Sequence, residues 1–173
     1  MEITNTSARK MITFKEQGRK FTYRVAGIVF HNGHVLFQRS TKDPKEVFGF
    51  LPGGRAELGE SAEATLKREM LEELGVEATV ERLVFVVENL FTEEGHAHHE
   101  INFQFLMHFP DDCYLYQGDT TFERHADDEE LPMIFDWLPV AQLEQLAVYP
   151  TFLKQQLQQL PEQTTHILQI NQV

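Results

Sequence analysis

The segment from residue 51 to residue 76, LPGGRAELGESAEATLKREMLEELGV, constrains the fold of this chain more than any other. It joins a glycine-rich turn to a helix with clear ends, because Ser61 suits an N-cap and Gly75 a C-cap. We predict a helix over residues 60–74, with Glu60 and Glu63 near the positive end of its dipole. Apolar residues recur along one side of this helix and predict that it packs on a core: Ala62, Leu66, Met70 and Leu74.

Three glutamates, Glu69, Glu72 and Glu73, converge on an arc beside the apolar stripe. A run of charges is usually a solvated face, but Glu73 projects into the edge of the stripe. Convergent carboxylates in a partly dry setting repel one another, so at neutral pH they require protons, basic partners or a divalent cation. Arg68 precedes Glu72 by four residues and is expected to pair with it. Hard oxygen ligands of this kind suit magnesium or manganese better than zinc.

The same segment matches every position of the Nudix box, GX5EX7REUXEEXGU, where U is aliphatic. Gly54 is followed by five residues, Glu60, seven residues and REMLEELGV, so that the box runs from Gly54 to Val76. On these residues the chain resembles the Nudix hydrolase family, without an identified subfamily. The resemblance implies an α/β fold, the Nudix-type α/β/α sandwich with a mixed β-sheet. It also implies an enzyme that hydrolyses a diphosphate linkage in a nucleoside diphosphate joined to a group X.

The resemblance further implies a metal site and a catalytic set. One to three Mg²⁺ ions, or Mn²⁺, are expected on the Gly53 carbonyl and the carboxylates of Glu69, Glu72 and Glu73. Glu72 either binds a metal or activates water. Arg68 is expected to orient the glutamates, and Glu60 to support the loop.

A further carboxylate from outside the box is also implied by similar Nudix sequences. Residues 99–108 alternate between apolar and polar side chains, which predicts an antiparallel strand with one buried face. Glu100 lies on the polar face, and we predict that it meets the helix glutamates as a catalytic residue. The acidic segment at residues 119–130 is the alternative source, with Glu123 and Asp127 as its candidates. Sequence leaves this choice open.

Substrate-binding residues are sought in the strands around the box. Residues 21–39 form two β-rich runs around Asn32-Gly33, a strong hairpin signal, and place Arg24 and Arg39 as candidates for substrate phosphates. Phe91, at the end of the strand predicted over residues 79–90, is a candidate for stacking on a base. Each has a simpler alternative, a surface charge for the arginines and a core position for Phe91.

Composition limits the partners. The 173 residues predict one domain, residues 1–173, with 1–20 and 161–173 peripheral or partly disordered as an alternative. With 15 basic and 27 acidic residues, a net charge of −12 disfavours nucleic acid, whereas a bound metal permits a small-molecule nucleoside diphosphate derivative. Neither a secretory signal nor an apolar run of about 20 residues is present, so we expect no membrane partner and a cytoplasmic location.

Two alternatives complete the predictions. A nucleotide-sensing Nudix module without turnover competes with the hydrolase, although such a module is expected to have lost box carboxylates, and these are intact. A glutamine-rich helix near the C-terminus carries Leu153, Leu157 and Leu160 on one side. It packs against the domain or against a partner subunit, so a homodimer is an alternative to a monomer.

Overall fold

A computed structural model describes residues 9–40, 47–125 and 132–171. They form two α-helices, α1 (Ala62–Leu74) and α2 (Leu153–Gln156), and two 3₁₀-helices, Tyr114–Tyr116 and Val140–Gln145. The strands of the described residues are β1 (Thr13–Glu16), β2 (Arg19–Ile28), β3 (Phe30–His31), β4 (His34–Arg39), β5 (Gly49–Phe50), β6 (Gly53–Arg55), β7 (Thr79–Glu93), β8 (His96–His108), β9 (Thr121–Arg124), β10 (Met133–Pro139) and β11 (Thr165–Asn171).

The strands divide into two sheets. The larger has the order β1-β2-β8-β7-β11, with β6 also on β2, and it is mixed because β8 runs parallel to β2 and β11 parallel to β7. The smaller is antiparallel, with the order β3-β4-β10-β9 and β5 on β4. The chain passes from one sheet to the other at Val29, and the predicted hairpin at Asn32-Gly33, both with positive φ, joins β3 to β4.

Both sheets share one middle layer between helices. The core under α1 combines Leu66 and Met70 with Val25 of the larger sheet and Leu36 of the smaller one. The core on the other side combines Leu153 of α2 with residues of both sheets. The predicted mixed α/β fold is therefore confirmed, and its middle layer is two sheets rather than one. A strongly twisted open sheet rarely exceeds about ten strands, which accounts for the division.

The prediction that β8 has one buried face is wrong. Its apolar residues do face α1, but its polar face is covered as well: Asn102 is 4% exposed and Gln104 1%. The cause is the strand order, which places β8 between β2 and β7 in the middle layer. A row of polar side chains is therefore enclosed in the fold.

The C-terminal third differs in detail from the predictions. A 3₁₀-helix, Val140–Gln145, follows Pro139, and the predicted glutamine-rich helix is only the four residues of α2. Residues 165–171 form the edge strand β11, which pairs in parallel with β7. No helix among residues 9–40, 47–125 and 132–171 is long and apolar enough to span a membrane.

Candidate active site

Helix α1 holds the box glutamates in fixed directions. The Ser61 hydroxyl accepts the Ala64 N–H at 3.1 Å, and Gly75, left-handed with φ 67°, returns its N–H to the Leu71 and Met70 carbonyls. These are the predicted caps. Because Leu66, Met70 and Leu74 are fully buried, the helix cannot rotate on its axis without exposing apolar surface. The glutamates between them are thereby aimed at the glycine-rich turn.

Two glycines of that turn permit the close approach. The Glu69 carboxylate, 8% exposed, lies directly on Gly54, where any Cβ would overlap it. Gly53 has φ 148°, and a Cβ there would lie 2.7 Å from the Ala26 Cα of β2. The chain at β6 therefore fits between β2 and Glu69 only as glycine.

Arg68 is the centre of the carboxylate network. Its guanidinium donates to both oxygens of Glu60, at 2.9 and 3.0 Å, to Glu69 Oε1 at 2.7 Å and to Glu72 Oε2 at 3.2 Å. A further N–H donates to the Arg55 carbonyl at 3.2 Å, tying the helix to β6. The predicted contact with Glu72 is present, and it is longer than the contacts with Glu60 and Glu69. Hydrogen bonding from Arg68 lowers the pKa of Glu60, and the same contact is the main reason that the pKa of Arg68 is raised.

A second arginine, missed in the sequence, reaches the network from the N-terminal segment. Arg9 contacts Glu72 and forms an ion pair with Glu57, Nε to Oε1, at 3.0 Å. Four carboxylates, those of Glu57, Glu60, Glu69 and Glu72, therefore share two guanidinium groups, which leaves two negative charges uncompensated. No local pattern signals this role, because Arg9 lies 63 positions before Glu72.

The donor set fits a divalent cation in its chemistry. Carboxylate and carbonyl oxygens with excess negative charge are what Mg²⁺ binds. In the described parts of the chain, however, no three acidic, histidine or cysteine side chains form a cluster arranged for a metal ion. Nitrogens of Arg9 and Arg24 lie beside Glu72 and the Gly53 carbonyl instead, so these two contacts would have to open for a cation to bind there, whereas Arg68 contacts Oε1 of Glu69 and can stay in place.

Arg24 is brought to the site as predicted, but it faces the backbone. Its Nη2 donates to the Gly53 carbonyl at 2.9 Å and to the Leu51 carbonyl at 3.2 Å, and its guanidinium lies 5.4 Å from the centre of the Phe50 ring. The structure thus joins two predicted site residues, Arg24 and Gly53, in a contact that sequence did not suggest.

Arg39 and Phe91 have their own partners. Arg39 donates to both oxygens of Asp136 on β10, at 2.8 and 2.6 Å, and this contact raises its pKa. Its guanidinium is thus paired within the smaller sheet, with 34% of the side chain exposed. Phe91 stacks on His98, with ring centres 4.7 Å apart, near the outer ends of β7 and β8. Both rings border a surface cavity of about 320 Å³.

Glu100 lies on the face of the larger sheet that points away from α1. It pairs with Thr22 of β2 and Asn89 of β7, and its Oε1 accepts the Asn102 amide at 3.2 Å. That face also carries Arg24, so Glu100 approaches the box from the Gly53 side and not from the helix side. Of the alternative carboxylates, Glu123 is exposed on β9, and Asp127 lies outside the described residues.

Two groups near the site were not predicted. Phe48, Phe50 and Tyr149 form an aromatic group beside Arg24, with Phe48 5.2 Å from Tyr149 and 6.2 Å from Phe50. Aromatic residues flanking Gly49 were a signal in the sequence, but Tyr149 joins them only through tertiary structure. The buried amides of Asn89, Asn102 and Gln104 are the second group. The sequence did not identify them, because its alternation predicted that the polar face of β8 is exposed.

Comparisons with known proteins agree with this geometry. A family model described as NUDIX domain matches residues 21–160. A mutator MutT protein from Bacillus halodurans is 20% identical and aligns over 84% of this chain and 89% of its own, with a TM-score of 0.54. A MutT NUDIX hydrolase from Burkholderia pseudomallei is 19% identical and aligns over 78% of this chain and 95% of its own, with a TM-score of 0.53. A UDP-X diphosphatase is 17% identical and aligns over 84% of this chain and 66% of its own, with a TM-score of 0.51. At these identities the likeness shows the fold. No curated protein matches the chain.

Proposed function

This chain belongs to the Nudix family, and we propose that it is a pyrophosphohydrolase that cleaves the diphosphate linkage of a nucleoside diphosphate joined to a second group, with Mg²⁺ or Mn²⁺. The observation that supports this most is the Glu69 carboxylate seated on Gly54 within a network that retains excess negative charge. The intact box carboxylates favour turnover over a nucleotide-sensing module.

The residues that would hold the cation are the Gly53 carbonyl and the carboxylates of Glu69, Glu72 and Glu73. When bound, a divalent cation neutralises phosphate oxygens and lowers the pKa of water. Glu73 follows Glu69 by one helical turn, and its side chain is half-buried, so both carboxylates extend toward the same side of α1.

Arg68 acts by position. Its guanidinium holds Glu69 and Glu72 on one side and Glu60 on the other, which limits the rotamers that the two ligands can adopt. Glu72 is the most accessible member, with 41% of its side chain exposed, and can accept a proton from an attacking water at its carboxylate. Arg24, released from the Gly53 carbonyl, is placed to meet a substrate phosphate.

The partner is expected to be small. A net charge of −12 opposes the approach of a polyanion, whereas one diphosphate can be neutralised locally by a cation and Arg24. The cytoplasmic location and the homodimer stay predictions.

A substrate panel tests the proposed function. We expect Mg²⁺-dependent turnover on at least one of a set of nucleoside triphosphates, nucleotide sugars, ADP-ribose and dinucleoside polyphosphates. Turnover should stop on chelation, and heavy-oxygen water should label a phosphate product. Binding without turnover across the panel would favour the sensing module.

Two variants of α1 sharpen this test. Glu72→Gln removes a carboxylate of the proposed site and should lower kcat by about 10²-fold or more. Glu63→Gln is the matched control, because Glu63 is on the same helix, is exposed and forms a surface ion pair with Lys67 at 3.1 Å. It should retain the wild-type rate.

The role predicted for Glu100 has a separate test. Glu100→Gln lowers turnover by on the order of 10²-fold if Glu100 is the catalytic base. A near-wild-type rate would move that role to residues 119–130.

A further inference from the structure

The face of the larger sheet that carries Glu100 encloses a row of amide side chains. Register places Asn102 opposite Arg24 of β2, Gln104 opposite Ala26, and Asn89 of β7 opposite Glu100. All three amides are at least nine-tenths buried: Asn89 is 8% exposed, Asn102 4% and Gln104 1%. We call Asn89, Asn102 and Gln104 the amide row.

The amide row is short of hydrogen-bond partners. Within the described part of the chain, the side-chain oxygens of Asn89 and Asn102 and both polar atoms of Gln104 are buried without a hydrogen bond. Buried polar groups are nearly always paired, and an unpaired one costs its desolvation free energy. Three neighbouring amides with unused hydrogen-bonding atoms therefore indicate a missing polar partner.

The position of the row connects it to the active site. Arg24, directly opposite Asn102, donates to the Gly53 carbonyl of the box at 2.9 Å. Glu100, which precedes Asn102 on the same face of β8, is half-buried, so the row extends toward a residue that reaches solvent. The Glu100 carboxylate also accepts the Asn102 N–H₂, which orients that amide with its oxygen unused. On the α1 side β8 presents apolar residues instead: Phe103, Phe105 and Met107.

Most of the atoms without a hydrogen bond are acceptors. Three are acceptors, the oxygens of Asn89, Asn102 and Gln104, and one is a donor, the nitrogen of Gln104. A ligand that completes them must offer mainly N–H or O–H donors. Resting on the proposed function, we infer that the amide row is a specificity subsite, which binds the nucleoside half of the substrate through hydrogen-bond donors on its base or sugar.

Monophosphates test this inference without any bond being cleaved. Guanosine and inosine 5′-monophosphates differ by one amino group, and guanosine and 2′-deoxyguanosine 5′-monophosphates by one hydroxyl. We expect the wild-type protein to bind one member of at least one pair about tenfold more tightly, as measured by calorimetry, because a site built to accept a donor rejects the analogue that lacks it. The first pair identifies a base donor and the second a sugar donor.

Near-isosteric variants locate the discrimination. Gln104→Met and Asn102→Leu should reduce the preference to about twofold or less, whereas the exposed Gln159→Met should leave it unchanged. Gln104→Met should also leave the melting temperature equal or raise it, because it removes an unpaired buried amide. If one variant does not fold, the other carries the comparison, and the wild-type pairs require no variant.

Two results would overturn the subsite. One is equal binding of both members of both pairs by the wild-type protein. The other is an unchanged preference in both variants, and a lower melting temperature beside it would assign the amides to ordered internal water. Monophosphates lack the cleavable linkage, so either result leaves the proposed hydrolysis unaffected. Conversely, if the protein does not hydrolyse any substrate of the panel, the binding comparison is still valid.

Discussion

At the scale of single residues, the site depends on contacts too close to admit another atom. Gly54 is in contact with the Glu69 carboxylate, and its missing Cβ is what allows that carboxylate to be buried at the turn. The box pattern predicted a glycine here, but only the structure supplies the reason. A local signal can therefore identify a residue before its partner is known.

Gly54→Ala should lower kcat by about 10²-fold or more while the protein stays folded, because the new methyl displaces the Glu69 carboxylate from the turn. Steady-state kinetics and far-UV circular dichroism measure the two effects. Gly118→Ala is the control, since its Cβ would make only an ordinary contact of 3.5 Å with the Tyr114 carbonyl. Wild-type activity in Gly54→Ala would show that the position of Glu69 is not critical.

Arg9 contacts Glu72, one of the proposed cation ligands, and is expected to compete with a cation for it. Arg9→Gln should therefore lower the Mg²⁺ concentration for half-maximal activity by up to about fivefold, the range that an exposed ion pair permits. A magnesium titration of activity measures it, with the exposed Arg19→Gln as control. An increased magnesium requirement would mean that Arg9 assists the site rather than blocking it.

At the scale of elements, the glycine-rich turn and α1 act as one unit because Arg68 holds both. It contacts Glu60 before the helix, Glu69 and Glu72 within it, and the Arg55 carbonyl of β6. The helix and both its caps were predictable, since caps and apolar periodicity are local signals. The arginines that complete the site, Arg9 and Arg24, approach from distant strands or segments, and no periodicity encodes that approach.

The contact between Arg68 and Glu60 predicts that the free energy of unfolding falls at acidic pH. The pKa of Glu60 is lower in the folded protein than its ordinary value of 4.5, so its stabilisation is full above about pH 4.5 and is lost as the pH falls through the folded pKa. Glu60→Gln should cost about 1.5–3 kcal/mol at pH 7, with the difference from wild type shrinking below pH 4.5. Urea unfolding from pH 7 to pH 3 measures this difference, which Glu63→Gln should not show. A constant difference across that range would contradict the ionic role of Glu60.

Strand β8 shows where an elemental prediction fails. Its alternation correctly identified an apolar face that is buried, but alternation alone does not reveal whether the polar face meets solvent or a second layer. That depends on strand order, and β8 is central, between β2 and β7. The sequence did not reveal the amide row, because it predicted that the polar face of β8 meets solvent.

At the scale of the whole molecule, two cores on opposite sides of the middle layer support one site. Leu66 packs between α1 and the sheets, and Leu153 lies in the opposite core, both fully buried. The sandwich was predictable from the resemblance carried by the box, whereas the division of its middle layer into two sheets was not. That division follows from pairings between distant strands.

Leu66→Ala and Leu153→Ala should each lower the free energy of unfolding by about 2–5 kcal/mol, because each leaves a cavity in a packed core. Denaturant unfolding measures both, with the exposed Leu58→Ala as control. A loss confined to one variant would show that the cores are not equally important.

The central claim is that the carboxylates of α1 hold a cation for hydrolysis of a diphosphate linkage. Its most direct measurement is the rate of product formation from the best substrate of the panel, as a function of Mg²⁺, for wild-type protein, Glu72→Gln and Glu63→Gln in heavy-oxygen water. We predict saturable dependence on Mg²⁺ with the label in a phosphate product, a fall of about 10²-fold or more in Glu72→Gln and no fall in Glu63→Gln. Turnover that persists after chelation, or a wild-type rate in Glu72→Gln, would contradict it.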